Sequence, residues 1–153
     1  MALWMFKTEP DDFSFDDLEA DGTADWDGVK NAQALIYLRQ VAAGDEIFIY
    51  HTGTQKSVVG VARATGPSCP DTRDKTGKMV IVPIMPVRRL SSPVSIAAIR
   101  GDRDLAQFPL IRNTRLSVMP VMPDEWQAVL RLAASRIPSP QAPGKPNGRP
   151  PKK

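Results

Sequence analysis

A chain of 153 residues, 42% of them apolar, suffices for one domain with a packed core. Its single cysteine, Cys69, excludes an internal disulfide, and no Cys/His cluster has metal-ligand spacing, so neither metal nor cofactor is expected, and a reducing compartment is. The formal charge of +3 divides unevenly: Arg136, Lys145, Arg149, Lys152 and Lys153 follow residue 134, where no acid stands, and setting these five of the 20 bases aside leaves 15 against 17 acids. That slightly acidic body excludes a protein that coats phosphates with its whole surface, so any nucleic-acid contact must come from a local patch or from the tail.

Met1 to Phe6 is apolar but is broken at once by Lys7, Glu9, Asp11 and Asp12, too short for a secretory leader or a membrane span; a soluble, cytoplasmic protein with no membrane contact is expected. Leu3 to Thr8 reads as a first strand ended by the turn at Pro10-Asp11-Asp12. Ser14 can cap a short helix over Phe15 to Ala20, with Asp17 as its capping-box partner. Asn31 can cap the next helix, whose stripe of Ala32, Leu35, Ile36, Leu38 and Val41 stops near Gly44. Ile47 to His51, apolar on both faces, predicts a strand inside a small closed sheet, followed by a second strand over Ser57 to Ala64 after a turn at Gly53.

Arg63 to Gly77, punctuated by Gly66, Pro67 and Pro70, reads as a loop, and Lys78 to Leu90 as a long strand in which Pro83 and Pro86 require an edge position or a bulge. Ser95 to Arg100 predicts a helical turn, and Leu116 to Val121 a last short strand. Pro123-Asp124-Glu125 opens a terminal helix with Trp126, Val129, Leu130 and Ala133 facing the core. Mixed strands with short helices predict an α+β, barrel-like domain over residues 1–134. Residues 135–153, rich in Pro, Gly and basic side chains, are expected to be a disordered tail.

Three polar segments adjoin apolar elements: Lys7-Thr8-Glu9-Pro10, Trp26-Asp27-Gly28-Val29-Lys30-Asn31 and Tyr50-His51-Thr52. A pocket for a planar base needs a flat apolar wall and a few fixed donors and acceptors. Trp26 can supply the wall, or be an ordinary core or rim tryptophan. Asn31 can meet the base edge, or simply cap its helix. His51, the only histidine, stands beside no serine or cysteine nucleophile motif and reads as a structural group or a pocket donor rather than a general base. The acids Asp11, Asp12, Asp16 and Asp17 lack calcium-loop spacing, and no glycine-rich phosphate loop is present.

Five blocks, in order, are similar to the signature segments of EVE domains: Trp4 to Pro10, Trp26 to Ala34, Tyr50 to Thr52, Arg115 to Val121 and Asp124 to Trp126. The resemblance implies a PUA-like mixed-sheet pseudobarrel with short flanking helices, related in architecture to YTH domains. It implies a pocket for a modified base, such as 5-methylcytosine in DNA or a modified base in RNA, reached by extruding the base from its stack. Around that pocket it places Lys7, Thr8, Glu9, Trp26, Asn31, His51, Thr52, Arg115 and Ser117. The chain departs from the usual pattern at Ala32, where tyrosine is common, at Thr52, where serine is common, and in a shorter loop between Gly66 and Gly77.

The reading preferred is therefore a non-catalytic, monomeric base reader whose partner is DNA or RNA carrying a modified base. Its tail cations Lys145, Arg149, Lys152 and Lys153 would contact phosphates. Gly144 to Lys153 resembles an AT-hook in part, but Asn147 replaces an arginine of that motif, so a nonspecific basic tail is preferred. One rival is an ASCH-like amidohydrolase acting on modified nucleosides, with Lys7, Glu9 and Thr52 as acid, base and nucleophile. Another is a protein-interaction module using the Pro-rich tail.

Overall fold

The computed structural model describes residues 1–135. In chain order the elements are β1 (Leu3–Thr8), α1 (Phe15–Asp21), β2 (Ala24–Trp26), α2 (Ala32–Leu38), β3 (Glu46–His51), β4 (Ser57–Ala64) and β5 (Cys69–Pro70). The second half holds β6 (Val80–Ser95), α3 (Ile96–Arg100), a 3-10 turn over Arg103–Leu105, α4 (Pro109–Arg112), β7 (Val118–Pro120) and α5 (Pro123–Ser135). The strands form one mixed, curled sheet in the order β2-β6-β4-β3-β1-β7, with β5 also paired to β6. This is the expected α+β pseudobarrel.

Burial on both faces explains the unbroken apolar runs. Trp4, Met5 and Phe6 of β1 are all buried, as are Ile47, Phe48 and Ile49 of β3, because the curled sheet encloses one face and helices cover the other. α5 docks by stacking Trp126 on Phe48, with ring centroids 3.7 Å apart and planes 14° from parallel. At the other side, Ser14 and Asp17 form the expected capping box of α1, whose Phe15 ring packs against Gly60 of β4. A Cβ at Gly60 would fall 2.5 Å from that ring, so only glycine admits so close an approach. Arg89 of β6 fixes α1 from outside by pairing with Asp16 and Glu19 and covering the Phe15 ring.

The long strand β6 is not at an edge: it pairs with β4 on one side and with β2 on the other over Val82 to Ile84. The sheet accommodates its prolines by irregularity instead. Pro86 faces Ala62 where the β4–β6 register shifts, and the Pro83 carbonyl accepts from the Thr65 N–H at 2.9 Å. α2 is a turn shorter than its stripe implies. It buries Ala34, Leu35 and Leu38, leaves Ile36 47% exposed, and ends before Val41, which is buried from the following turn. β2, the 3-10 turn and α4 span only three or four residues each, too few for a periodic signal.

The register between β1 and β3 is parallel, Leu3 opposite Glu46 through Thr8 opposite His51. Asp45, 4% exposed, anchors its start. Its carboxylate accepts from the Trp4 indole N–H (2.9 Å), the Ala2 N–H (3.0 Å) and the Ala42 N–H (2.9 Å). Burial alone raises this carboxyl, but the donors at Ala42, Trp4 and Ala2, with the N-terminal charge, outweigh it and hold the pKa below the ordinary aspartate value. No helix among the described residues is long and apolar enough to cross a membrane.

Asp45→Asn should lower stability at neutral pH by about 1–3 kcal/mol, because an amide N–H then opposes backbone and indole donors. The folded pKa is depressed, so this stabilisation is present above the unfolded value of about 3.9 and disappears as pH falls through the folded one. Urea unfolding should show the gap between the two proteins closing in acid. An equal stability of both at neutral pH would remove the anchoring role.

Candidate functional site

The parallel pairing of β1 and β3 brings two polar strand ends together, and the contact continues past both: the Thr52 N–H donates to the Thr8 carbonyl at 2.9 Å. Beside Thr8 opens a cavity of about 420 Å³. Lys7, Thr8 and Glu9 line it from the end of β1, Ser117 from the start of β7, and Asp12 and Phe13 from the turn before α1. Ala24, Asp25 and Trp26 of β2 and the loop Asp27 to Lys30 complete the wall. Trp26 is 8% exposed and held between two rings, Phe6 at 5.2 Å and Phe13 edge-on at 6.2 Å. Its plane is therefore fixed before any ligand arrives.

Carboxylates dominate this cavity. Glu9, Asp12, Asp25 and Asp27 line it against two basic residues, Lys7 and Lys30. Glu9 Oε2 accepts from the Thr52 hydroxyl at 3.2 Å. Asp27 is braced by Arg73 at 2.6 Å, and Arg73 also holds Asp71 at 3.0 Å. The Asp74 carboxylate shapes the same loop by accepting from the N–H groups of Thr76, Lys78 and Met79. Lys7 lends its stem to the cavity but turns its ammonium away: Nζ donates to the Thr114 carbonyl at 3.0 Å and lies 5.9 Å from the Tyr50 ring centroid. Burial pushes the Lys7 pKa down.

Of the nine side chains expected around a base, the structure brings Lys7, Thr8, Glu9, Trp26 and Ser117 to one cavity. The other four stand elsewhere. Asn31 caps α2, its Oδ1 accepting from the Ala34 N–H at 2.9 Å. His51 is 5% exposed, and both its ring nitrogens are engaged: Nε2 accepts from the Phe15 N–H at 3.0 Å and Nδ1 meets Gln55 Oε1 at 2.7 Å. That arrangement is a neutral imidazole protonated at Nδ1, and it leaves no donor for a ligand. Thr52 lines a neighbouring recess, and Arg115 is exposed and lines neither cavity. The tail cations Lys145, Arg149, Lys152 and Lys153 lie outside the described residues.

Sequence reasoning missed Phe13 and the acids Asp12 and Asp25, which look like turn and surface residues until β2 folds back beside β1. An aromatic ring at position 13 amid four acids was the available signal. Among the described residues no group of three or more His, Cys, Asp or Glu side chains is placed to hold a metal.

Gly53 keeps Glu9 in place. It has φ +73°, and a Cβ there would lie 2.8 Å from Glu9 Oε2. Gly53→Ala should cost about 1–2 kcal/mol through the left-handed backbone alone and should push the Glu9 carboxylate off Thr52. Chemical denaturation with a crystal structure of the variant checks both effects. An unmoved Glu9 would show that the glycine serves the turn only.

Comparison with known proteins agrees with this fold. A Rhodopseudomonas palustris protein solved by NMR is 35% identical, with a TM-score of 0.83 over 89% of this chain and 95% of that one. Human THYN1 in complex with 5-methylcytosine-containing DNA is 25% identical, with a TM-score of 0.82 over 87% of this chain and 98% of that one. Rat thymocyte nuclear protein 1 is 27% identical over 84% of this chain and 72% of its own length. The EVE domain model matches residues 2–132, and the chain belongs to the EVE domain family.

Proposed function

We propose that the 420 Å³ cavity is a non-catalytic reader of a modified cytosine-type base extruded from nucleic acid, DNA before RNA. The observation that carries this reading is a cavity lined both by the braced Trp26 and by four carboxylates. The volume lies in the range of ligand pockets. An indole face supports stacking, and carboxylates accept from the exocyclic amino group of cytosine. The turn at Phe13 and the loop at Val29 offer apolar surface for a methyl group. A relative of the same fold has been solved with 5-methylcytosine DNA, which favours DNA and that base. In this reading Glu9, Asp12, Asp25 and Asp27 read the edge with Ser117 and the backbone at Thr8. Thr52 orients Glu9, Asn31 sets the loop from Trp26 by capping α2, and His51 seats α1. Arg115 and the tail are left to phosphate contacts, and the domain works as a monomer.

A hydrolase reading has one contact in its favour, the Thr52 hydroxyl at 3.2 Å from a Glu9 carboxylate oxygen. Thr52, however, lines the neighbouring recess rather than the cavity walled by Trp26. Incubation with acylated and methylated cytidines separates the two, because turnover of any of them contradicts a reader.

Trp26 is packed against Phe6, so alanine would open a hole as well as remove a stacking face. Trp26→Leu keeps apolar bulk and removes the face. Affinity for a single-stranded oligonucleotide containing 5-methylcytosine should fall about five- to 150-fold, the equivalent of about 1–3 kcal/mol of stacking. Fluorescence anisotropy on the folded variant is the measurement, with the matched RNA as a second arm. Wild-type affinity in a folded Trp26→Leu protein would end the stacking role.

The five cations after residue 134 contribute phosphate affinity in this reading. Deleting residues 136–153 should flatten the logarithmic salt dependence on single strands by about two to three and a half units if three to five of them engage. Preference for modified over unmodified base should hardly change. A salt titration of both proteins decides it, and an unaltered slope would remove the tail from the interface.

A further inference from the structure

A second recess, of about 260 Å³, lies on the other side of Lys7. Its lining inverts the chemistry of the first. Lys7, Lys56 and Arg100 contribute three cations, Tyr50 and Thr52 add hydroxyl groups, and no acid is among the nine lining residues. Elsewhere on the domain Arg63, Arg73, Arg89 and Arg131 are each neutralised by a carboxylate. Lys56 and Arg100 are exposed and, among the described residues, have no ion pair. Glu9, whose carboxylate reaches the Thr52 hydroxyl, stands beside the recess, but among the described residues no ion pair joins it to any of these three cations.

Two further features set the recess apart from a chance cluster of surface lysines. The ammonium of Lys7 is aimed at it, since Thr114 and Tyr50, the groups Nζ touches, both line it. Lys56 has φ +45°, the only non-glycine residue of positive φ among the described residues. A lysine there sits in a left-handed backbone that glycine would adopt without strain, and such strain concentrates at binding sites. The Lys56 carbonyl accepts from the Ile96 N–H at 2.8 Å, which ties this turn to α3, the helix that carries Arg100. Lys56 and Arg100 are therefore held on one corner.

We propose that this recess is an anion subsite that takes the backbone phosphate flanking the extruded base. It rests on the base-reader reading, because the two cavities share Lys7 as their common wall. The division of charge orients the strand: the carboxylates around Trp26 repel a phosphate, and the three cations beyond Lys7 attract it.

The test uses the full chain with Lys56→Gly and Arg100→Gln combined, and Arg103→Gln as a comparator, an exposed arginine that lines neither cavity. Lys56→Gly removes charge while relieving the backbone, so its Tm should equal or exceed that of wild type. On a single-stranded oligonucleotide with one 5-methylcytosine, the double variant should lower the salt slope by about 0.7 units, the loss of one phosphate contact. The comparator should not lower it, and the preference for the modified base should be kept. Titration of inorganic phosphate followed by amide NMR shifts forms the second arm. Shifts at Gly53 and Thr114 that vanish in the double variant support an anion site. Such shifts with an unaltered oligonucleotide slope would mean that the site takes free phosphate and overturn the backbone assignment. An unaltered slope without shifts overturns the subsite altogether. A lowered slope in a protein with no preference for any base would keep the subsite and sink the base reading instead.

Discussion

The register of one parallel strand pair decides where everything polar falls. β1 lies against β3 with Phe6 opposite Ile49 and Thr8 opposite His51. A slip of one residue would carry Lys7 into the place of the fully buried Phe6 and bury its charge. Parallel pairs have no hairpin turn to set their register, and here 37 residues separate the strands, from position 9 to position 45. The constraint is supplied instead by Asp45, which ties the residues around the start of β1 through Ala2 and Trp4 and the turn after α2 through Ala42. With that end fixed, the other end must place Lys7, Thr8 and Glu9 beside Thr52, and both recesses open from those residues.

From this arrangement follows a segregation of charge that the overall composition hides. The body is close to neutral, yet four carboxylates line the cavity at Trp26, and the recess beyond Lys7 is lined by cations and no acid. Lys7 is the divide: its stem belongs to one side, and its half-buried ammonium, capped by Thr114 and the Tyr50 ring, to the other. A nucleotide carries a neutral ring and a charged phosphate joined by a sugar. Such a pair of surfaces discriminates the two ends before any specific hydrogen bond forms.

The fold was legible wherever burial leaves a long periodic trace. β1 and β4 fall on the residues that alternation and apolar runs indicate, and the Ser14 and Asn31 caps stand where short polar side chains precede apolar stripes. What could not be read was pairing. Pro83 and Pro86 suggest an edge or a bulge, and the register shift at Pro86 is the second of these; what the sequence did not show is that β2, three residues long, pairs along the other side of β6. The site was legible in part for the same reason. Lys7, Thr8 and Glu9 are contiguous and sit at a strand end, whereas Asp12, Phe13 and Asp25 reach the cavity only through tertiary approach. Asn31 and His51 lie beside pocket segments in sequence but spend their polar atoms on backbone N–H groups.

Those two residues show that proximity to a site and contact with it are different physical roles. His51 cannot serve a ligand without releasing the Phe15 N–H, and Phe15 is the ring that rests on Gly60 and carries α1. α1 in turn follows directly on the turn containing Phe13, whose edge stands against Trp26. Arg73 acts comparably from the far side, since Asp27 is adjacent to Trp26 and is braced by the loop over residues 71–79. The indole is therefore confined by Phe6, Phe13 and a braced following residue, none of which needs to rearrange for a planar ring to enter. A wall set in advance lowers the ordering cost of association, and the buried polar groups around it are occupied in ways that keep that wall where it is.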